Sequence, residues 1–344
     1  MPSDSLAGLD LPASLPRRLV AIIGENENGA LRALSQSYLD VATPYGFTGE
    51  IIDLREDNWS DRLREQLQQG LLLAWGQAGV GARITHGDRL IWDTARVPFI
   101  SVMADSPCQK PMNHRVEGLF VANGYLVPDW LNMQRRFVRS PQLSSLLPHG
   151  MTGNPRRDAI PWSQRQYRMV LVKTGHSPEQ HRREWASWPS RFRAVVEDTA
   201  AAALRAGVGD ITDLFLAAAE HHGLVLDGRT DVLFGLLYAA DLYIRDFRST
   251  ALVKALLDLP VDIIGRGWDH VKEGPHRARF HPPLGADTIP LLYANSQFVL
   301  NTMPNFSHGT HDRVLYGFAA RSCVVTNENA DMRERFGALP TYFG

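Results

Sequence analysis

Short apolar runs, each followed by a stretch with helical spacing, recur along most of this chain, and no other feature narrows its possible folds as much. Residues 19–23 form an apolar run closed by Gly24, residues 29–45 carry helical spacing, and residues 51–54 repeat the run. Helical spacing returns over 63–67, residues 71–75 are apolar again, and 97–103 make a further strand that ends at Asp105-Ser106-Pro107. Alternation of this kind predicts an α/β fold, a parallel sheet covered by helices. Ligands of such sheets gather at the carboxyl ends of the strands. The segments after Ile23, Met103 and Val121 are therefore expected at one crevice, with Glu25, Asp105 and His114 as lining candidates.

At 344 residues the chain is long for one core, and two domains of ordinary size are expected. Around 140–162 the pattern breaks into Ser, Pro, Gly and Arg with no apolar period, which sets the boundary between domains of 1–150 and 151–344. A second alternating unit follows: a strand over 169–173, Ala-rich helices over 194–206 and 211–222, more helix over 232–257, and strands over 261–264, 298–300 and 323–326. Two such Rossmann-like αβ domains facing each other make a cleft between their strand ends.

Charge excludes some partners. Lys plus Arg number 36 against 37 acidic residues, so the balance predicts a small-molecule ligand and no nucleic acid or anionic membrane. The two cysteines, Cys108 and Cys323, lie far apart beside apolar segments, which fits reduced thiols in a cytoplasmic protein. No uninterrupted apolar run reaches the roughly 18 residues that cross a bilayer, and the first 16 residues lack the build of a secretory signal. No transmembrane segment and a cytoplasmic location are expected.

Near the end, an apolar strand (297–300) runs into a small-residue loop, then a helix beginning near Asp312, then a second strand. A glycine loop feeding a helix start offers backbone N–H groups and the positive end of the helix dipole, where proteins hold phosphate. Arg313 adds a permanent positive charge. The expected ligand is phosphorylated.

The same segment, Gly309-Thr310-His311-Asp312-Arg313-Val314 with Gly317-Phe318-Ala319-Ala320 and Val324-Val325-Thr326-Asn327, resembles the donor site of two-domain GT-B glycosyltransferases, in particular the CgeB-like group. Tyr243-Ile244-Arg245-Asp246-Phe247-Arg248, Ile263-Ile264-Gly265-Arg266-Gly267-Trp268 and the run from Leu292 to Asn301 resemble further parts of that group in the same order. The resemblance covers about 230 to 335 well and the earlier chain thinly. It implies a GT-B fold, a nucleotide-diphosphate sugar as co-substrate with no cofactor or metal, and an acceptor hydroxyl on a protein, glycan, lipid or small metabolite. Retaining GT-B enzymes commonly carry two glutamates eight positions apart; His308 and Tyr316 stand at the equivalent places.

On that resemblance, the donor and phosphate set is Lys173, Gly265, Arg266, Trp268, His308, Gly309, Thr310, Arg313 and Thr326, with Trp268 expected to stack on the base. Preorganised N–H groups and an arginine can stabilise a departing diphosphate without a metal. Arg313 could instead be held by a structural carboxylate such as Asp331. His311 is expected to donate to a phosphate or sugar oxygen, and Asp312 either takes part in catalysis or caps its helix. Asp105 is the first candidate for a general base, with His114 and Glu25 behind it on the acceptor side. Two alternatives stand beside transfer. A degenerate module would bind the sugar nucleotide only, and a cluster of His308, His311 and Asp312 would suit a metal-dependent hydrolase.

Overall fold

The structure, a computed structural model, describes residues 16–25, 27–138, 143–150 and 160–337, so most of the N-terminal lead-in and of the expected boundary stretch lie outside the described residues. The described chain forms two compact units. Residues 16–105, 112–126 and 143–150 make the first, and 106–111, 127–138 and 160–337 make the second.

The first unit contains strands β1 (Arg18–Ile23), β2 (Thr48–Asp53) and β3 (Leu73–Gln77), an antiparallel hairpin of β4 (Thr85–His86) and β5 (Arg89–Leu90), then β6 (Phe99–Met103), β7 (Val121–Tyr125) and β8 (Leu143–Leu146). Outside the hairpin these strands form a six-stranded parallel sheet in the order β2-β1-β3-β6-β7-β8. Ala21 stands opposite Ile51 on one side and Trp75 on the other. Helices α1 (Ala30–Ala42), α2 (Trp59–Gln69) and α3 (Ile91–Ala95) complete the unit. Val20, Ile22, Ile52, Phe99 and Trp92 share one buried core, as expected of strands buried on both faces, whose sequences read as apolar runs. Val121 opens a strand instead of closing one, and His114, in the segment between β6 and β7, lies beside Tyr125 at the carboxyl end of β7.

The second unit begins out of sequence with α4 (Pro128–Phe137), then runs β9 (Tyr167–Val172), α5 (Pro178–Trp185), α6 (Ser190–Ala206), α7 (Thr212–His221), α8 (Thr230–Leu256), β10 (Val261–Ile264), β11 (Arg279–His281), α9 (Ile289–Ala294), β12 (Ser296–Leu300), α10 (Asp312–Ala319), β13 (Cys323–Val325) and α11 (Ala330–Phe336). Its sheet is parallel throughout, in the order β11-β10-β9-β12-β13. One apolar cluster, with Leu171, Val253, Ile263 and Trp268, is distinct from another with Val170, Tyr293, Val299 and Ala320. A third core ties α4 to α6, α7 and α8 through Met133, Val196, Phe215 and Phe234. Both units are thus Rossmann-like αβ folds, as the alternation predicts. Cys108 and Cys323 are both free. Among the described residues no helix is long and apolar enough to cross a membrane.

Candidate functional site

In the second sheet, β10 and β12 lie on either side of β9, so the chain leaves β9 in one direction and returns on the other side. Ligands of doubly wound sheets bind at the carboxyl ends beside such a reversal. Here β9 delivers Lys173, and β12 delivers Asn301 and the loop that leads into α10. α10 begins at Asp312, where the sequence placed it.

Much of the loop's own hydrogen-bonding capacity is met by neighbours. The Asn301 amide donates to Thr326 Oγ1 at 2.9 Å, so Thr326 holds the loop's first turn. Arg248 donates to Asn305 Oδ1 at 2.5 Å and to the carbonyls of Ala203 and Gly207, while the Asn305 amide donates to Asp241 Oδ1 at 2.8 Å. Asn329 Nδ2 donates to the Gly309 carbonyl at 3.0 Å. Asp129, from the first turn of α4, accepts the backbone N–H groups of Ser307 and His308 and the His308 ring N–H. Gly309 sits at φ 130, and a Cβ there would come within 3.2 Å of Val127 Cγ2, so this position needs glycine. After these bonds, the N–H groups of Gly309, Thr310 and His311 have no protein acceptor among the described residues. Consecutive backbone donors in a turn form an anion-binding concavity.

Two cations accompany them. Arg313 makes only long contacts, to Asn301 Oδ1 at 3.5 Å and His311 Nε2 at 3.4 Å, and no carboxylate lies in ion-pair range of it among the described residues. The structural alternative for it fails because Asp331 is occupied otherwise, accepting from Thr310 Oγ1 at 2.8 Å and Arg335 Nε at 2.6 Å. Thr310 thereby offers its backbone, not its hydroxyl. Lys173 is crowded by protein, and that burial, with repulsion from Arg313 and Arg245, lowers its ammonium to about 7 against the pull of Asp246 and Asp241. A bound anion would reverse that balance.

His311 and Asp312 do local work. His311 Nδ1 lies 2.5 Å from Asp312 Oδ1 and 3.2 Å from the Arg313 N–H. A carboxylate can only accept, so Nδ1 carries the proton and Nε2 accepts from Arg313; the Arg313 N–H bonds instead to Asp312 Oδ1 at 2.7 Å. Burial lowers this imidazole to about 4, and the ring is neutral. Both of its nitrogens are engaged, so His311 orients Arg313 instead of donating to phosphate. Asp312 caps α10.

Trp268 is also placed differently from expectation. Its ring is 0% exposed, packed on Gly175, and Nε1 donates to the Lys173 carbonyl at 2.9 Å. No face remains for a base. Gly265 serves the same junction, since a Cβ on it would lie 2.1 Å from the Lys173 carbonyl. Arg266 is exposed on the turn between them.

In the first unit, Glu25 is exposed just after β1 and Asp105 is half-buried just after β6. His114 is 2% exposed and bonds Tyr125 Oη through Nδ1 at 2.7 Å. Burial lowers it to about 4, so it is a neutral core histidine and not an acceptor-side base.

Sequence reasoning missed Asp129, Arg248, Asn305 and Asp241, which hold the loop. Asp129 carried a usable signal, because Val127-Pro128-Asp129 places Pro and then an acid at the start of a helix. Among the described residues no group of three or more His, Cys, Asp or Glu could hold a metal, and His308 and His311 are paired to different aspartates.

The profile of the glycosyl transferase-like family matches residues 245–339, which takes in the end of α8, the turn after β10 and the whole loop between β12 and α10. No curated protein matches the chain at a significant level. A crystal structure of a glycosyltransferase from Rickettsia africae ESF-5 is similar at 9% identity and a TM-score of 0.37, covering 93% of this chain and 82% of that one.

Proposed function

We propose that this protein is a metal-independent glycosyltransferase that binds a nucleotide-diphosphate sugar in its second unit and moves the sugar to an acceptor hydroxyl. The observation that carries this reading is the run of N–H groups at Gly309, Thr310 and His311, without protein acceptors among the described residues, beside two cations, Arg313 and Lys173, with no carboxylate in ion-pair range among those residues. Charge grows on the diphosphate as the sugar leaves, and fixed donors aimed at that charge stabilise the transition state. The family match over this segment supports the reaction class, and the motif order supports a GT-B, CgeB-like relative. The acceptor belongs to the first unit, with Glu25 and Asp105 as its polar lining.

Calorimetry against UDP-, GDP-, TDP- and ADP-sugars tests the proposal. Saturable binding of at least one member is expected; a folded, full-length sample that binds none removes it. Binding without release of diphosphate under any acceptor would favour the second reading, a module that only holds sugar nucleotides. His308 and Tyr316, neither acidic, are the residues that keep that reading open.

A further inference from the structure

Resting on the transferase reading above, we infer that His308 is the general base of the transfer and that Asp129 is its positioning residue. Asp129 is 6% exposed and is fixed from the backbone side by the N–H groups of Ser307 and His308. Its other oxygen lies 2.9 Å from His308 Nδ1. Because a carboxylate only accepts, Nδ1 must carry the proton, which leaves the Nε2 lone pair as the outward face of a side chain that is 58% exposed. No partner for Nε2 occurs among the described residues. A buried acid holding one nitrogen of an exposed imidazole fixes tautomer and direction together, as a proton-accepting histidine requires.

The contrast with the other histidines is what singles it out. His114 is in the core and His311 has both nitrogens engaged. His222 also meets an aspartate, but Asp198 is 58% exposed and nothing comparable fixes it. His181 and His281 also meet buried aspartates, Asp246 and Asp262, so what sets His308 apart among the described residues is its place one residue before the unpaired donors of Gly309 to His311, with its acid held by that same loop. In the step assigned to it, the acceptor O–H proton passes to Nε2 while the oxygen lone pair forms the new bond to the anomeric carbon. The bond from that carbon to the diphosphate oxygen breaks, and its electron pair leaves with the diphosphate. The imidazolium then returns its proton to water. Direct displacement of this kind inverts the anomeric centre.

The test uses the full chain and the four sugar nucleotides UDP-, GDP-, TDP- and ADP-glucose, with diphosphate release to water as the reaction, since water presents the same O–H. In His308→Asn the amide nitrogen can still donate to Asp129, so the loop is kept and the base removed. Release is expected to fall by about 100-fold or more, with diphosphate affinity by calorimetry unchanged within about twofold. In His308→Gly, added imidazole is expected to restore part of the lost rate, which a purely structural role would not allow. Asp129→Asn is expected to lower release with a smaller effect on affinity. Release by His308→Asn within threefold of wild type, or no rescue of a folded His308→Gly, overturns the assignment. Wild-type protein that binds diphosphates but releases none from the panel overturns it too, while leaving the binding reading intact. Wild-type protein that binds none overturns both.

Discussion

Each unit sets cations beside the carboxyl ends of its strands, and the two uses differ. In the first, Asp53 at the end of β2 accepts Arg55 at 2.6 Å and Arg32 at 3.2 Å, and the hydrogen bond from Arg55 draws that carboxyl down to about 2. In the second, Lys173 and Arg313 repel one another with no carboxylate in ion-pair range among the described residues, and Lys173 falls to about 7. The first arrangement is complete in itself. In the second, only the more distant Asp246 and Asp241 offset the burial of Lys173. A sheet of this type therefore does not make a site by its topology alone; the placement of acids decides which strand ends remain available for a ligand.

The comparison can be broken most forcefully at Trp268. Replacing it with Ala should lower stability by about 3–5 kcal/mol through the cavity left in a packed core, and diphosphate affinity should drop with it because the Lys173 carbonyl loses its donor. An unchanged urea midpoint, with selective loss of nucleoside over pyrophosphate binding, would make the ring a ligand surface instead.

Acid should weaken the first unit without reference to any ligand. His114 is neutral when folded and lies at about 4, below its ordinary 6.5. Its contribution is present above 6.5 and is lost as pH falls through about 4, on the order of 3 kcal/mol in all. His311 acts in the same direction in the second unit. Urea midpoints measured from pH 7 to pH 4 should decline steadily, and the part of the decline due to His114 should vanish in His114→Gln. A profile unchanged by that substitution would mean the ring is not the buried neutral group described.

Arg313→Ala should weaken diphosphate binding by about 1.5–3 kcal/mol, the range for hydrogen bonds to charged groups. Arg55→Ala, on the exposed paired cation of the first unit, should leave affinity unchanged. Equal effects from both would erase the distinction between paired and unpaired cations.

The smallest effect is a proton. Above pH 7 the free Lys173 is increasingly neutral, and an incoming diphosphate favours its charged form, so binding at pH 8 should take up a fraction of one proton. Affinity should decline from pH 7 to pH 9. Calorimetry in two buffers of different ionisation enthalpy reads the uptake, and Lys173→Met should abolish it.

Much of this fold is legible in the sequence because buried parallel strands announce themselves as apolar runs. Residues 261–264 were read without error, and the start of α10 at Asp312 followed from the loop chemistry. Strand ends are less legible: the short apolar run around Val121 reads as the end of a strand, and the mostly exposed Leu-Ser-Ser-Leu of β8 reads as linker. Lys173 after β9 and Arg313 in the first turn of α10 are legible because a charge beside a strand end or a helix start is visible in one dimension. Trp268 was misjudged because a glycine turn beside an aromatic looks the same whether the ring faces a ligand or a core. Asp129 was missed because its partner lies 179 positions away, and no local pattern encodes such a pairing.

The excursion of α4 into the second unit has a practical meaning for dissecting the gene. A clone that starts at residue 151 would carry the entire region matched to the transferase family yet lack the acid that clamps Ser307 and His308, together with Met133 and Val138 from the helical core. Expressed alone, such a fragment should be poorly soluble and inactive; supplying residues 127–138 as a fused or added peptide is the shortest repair.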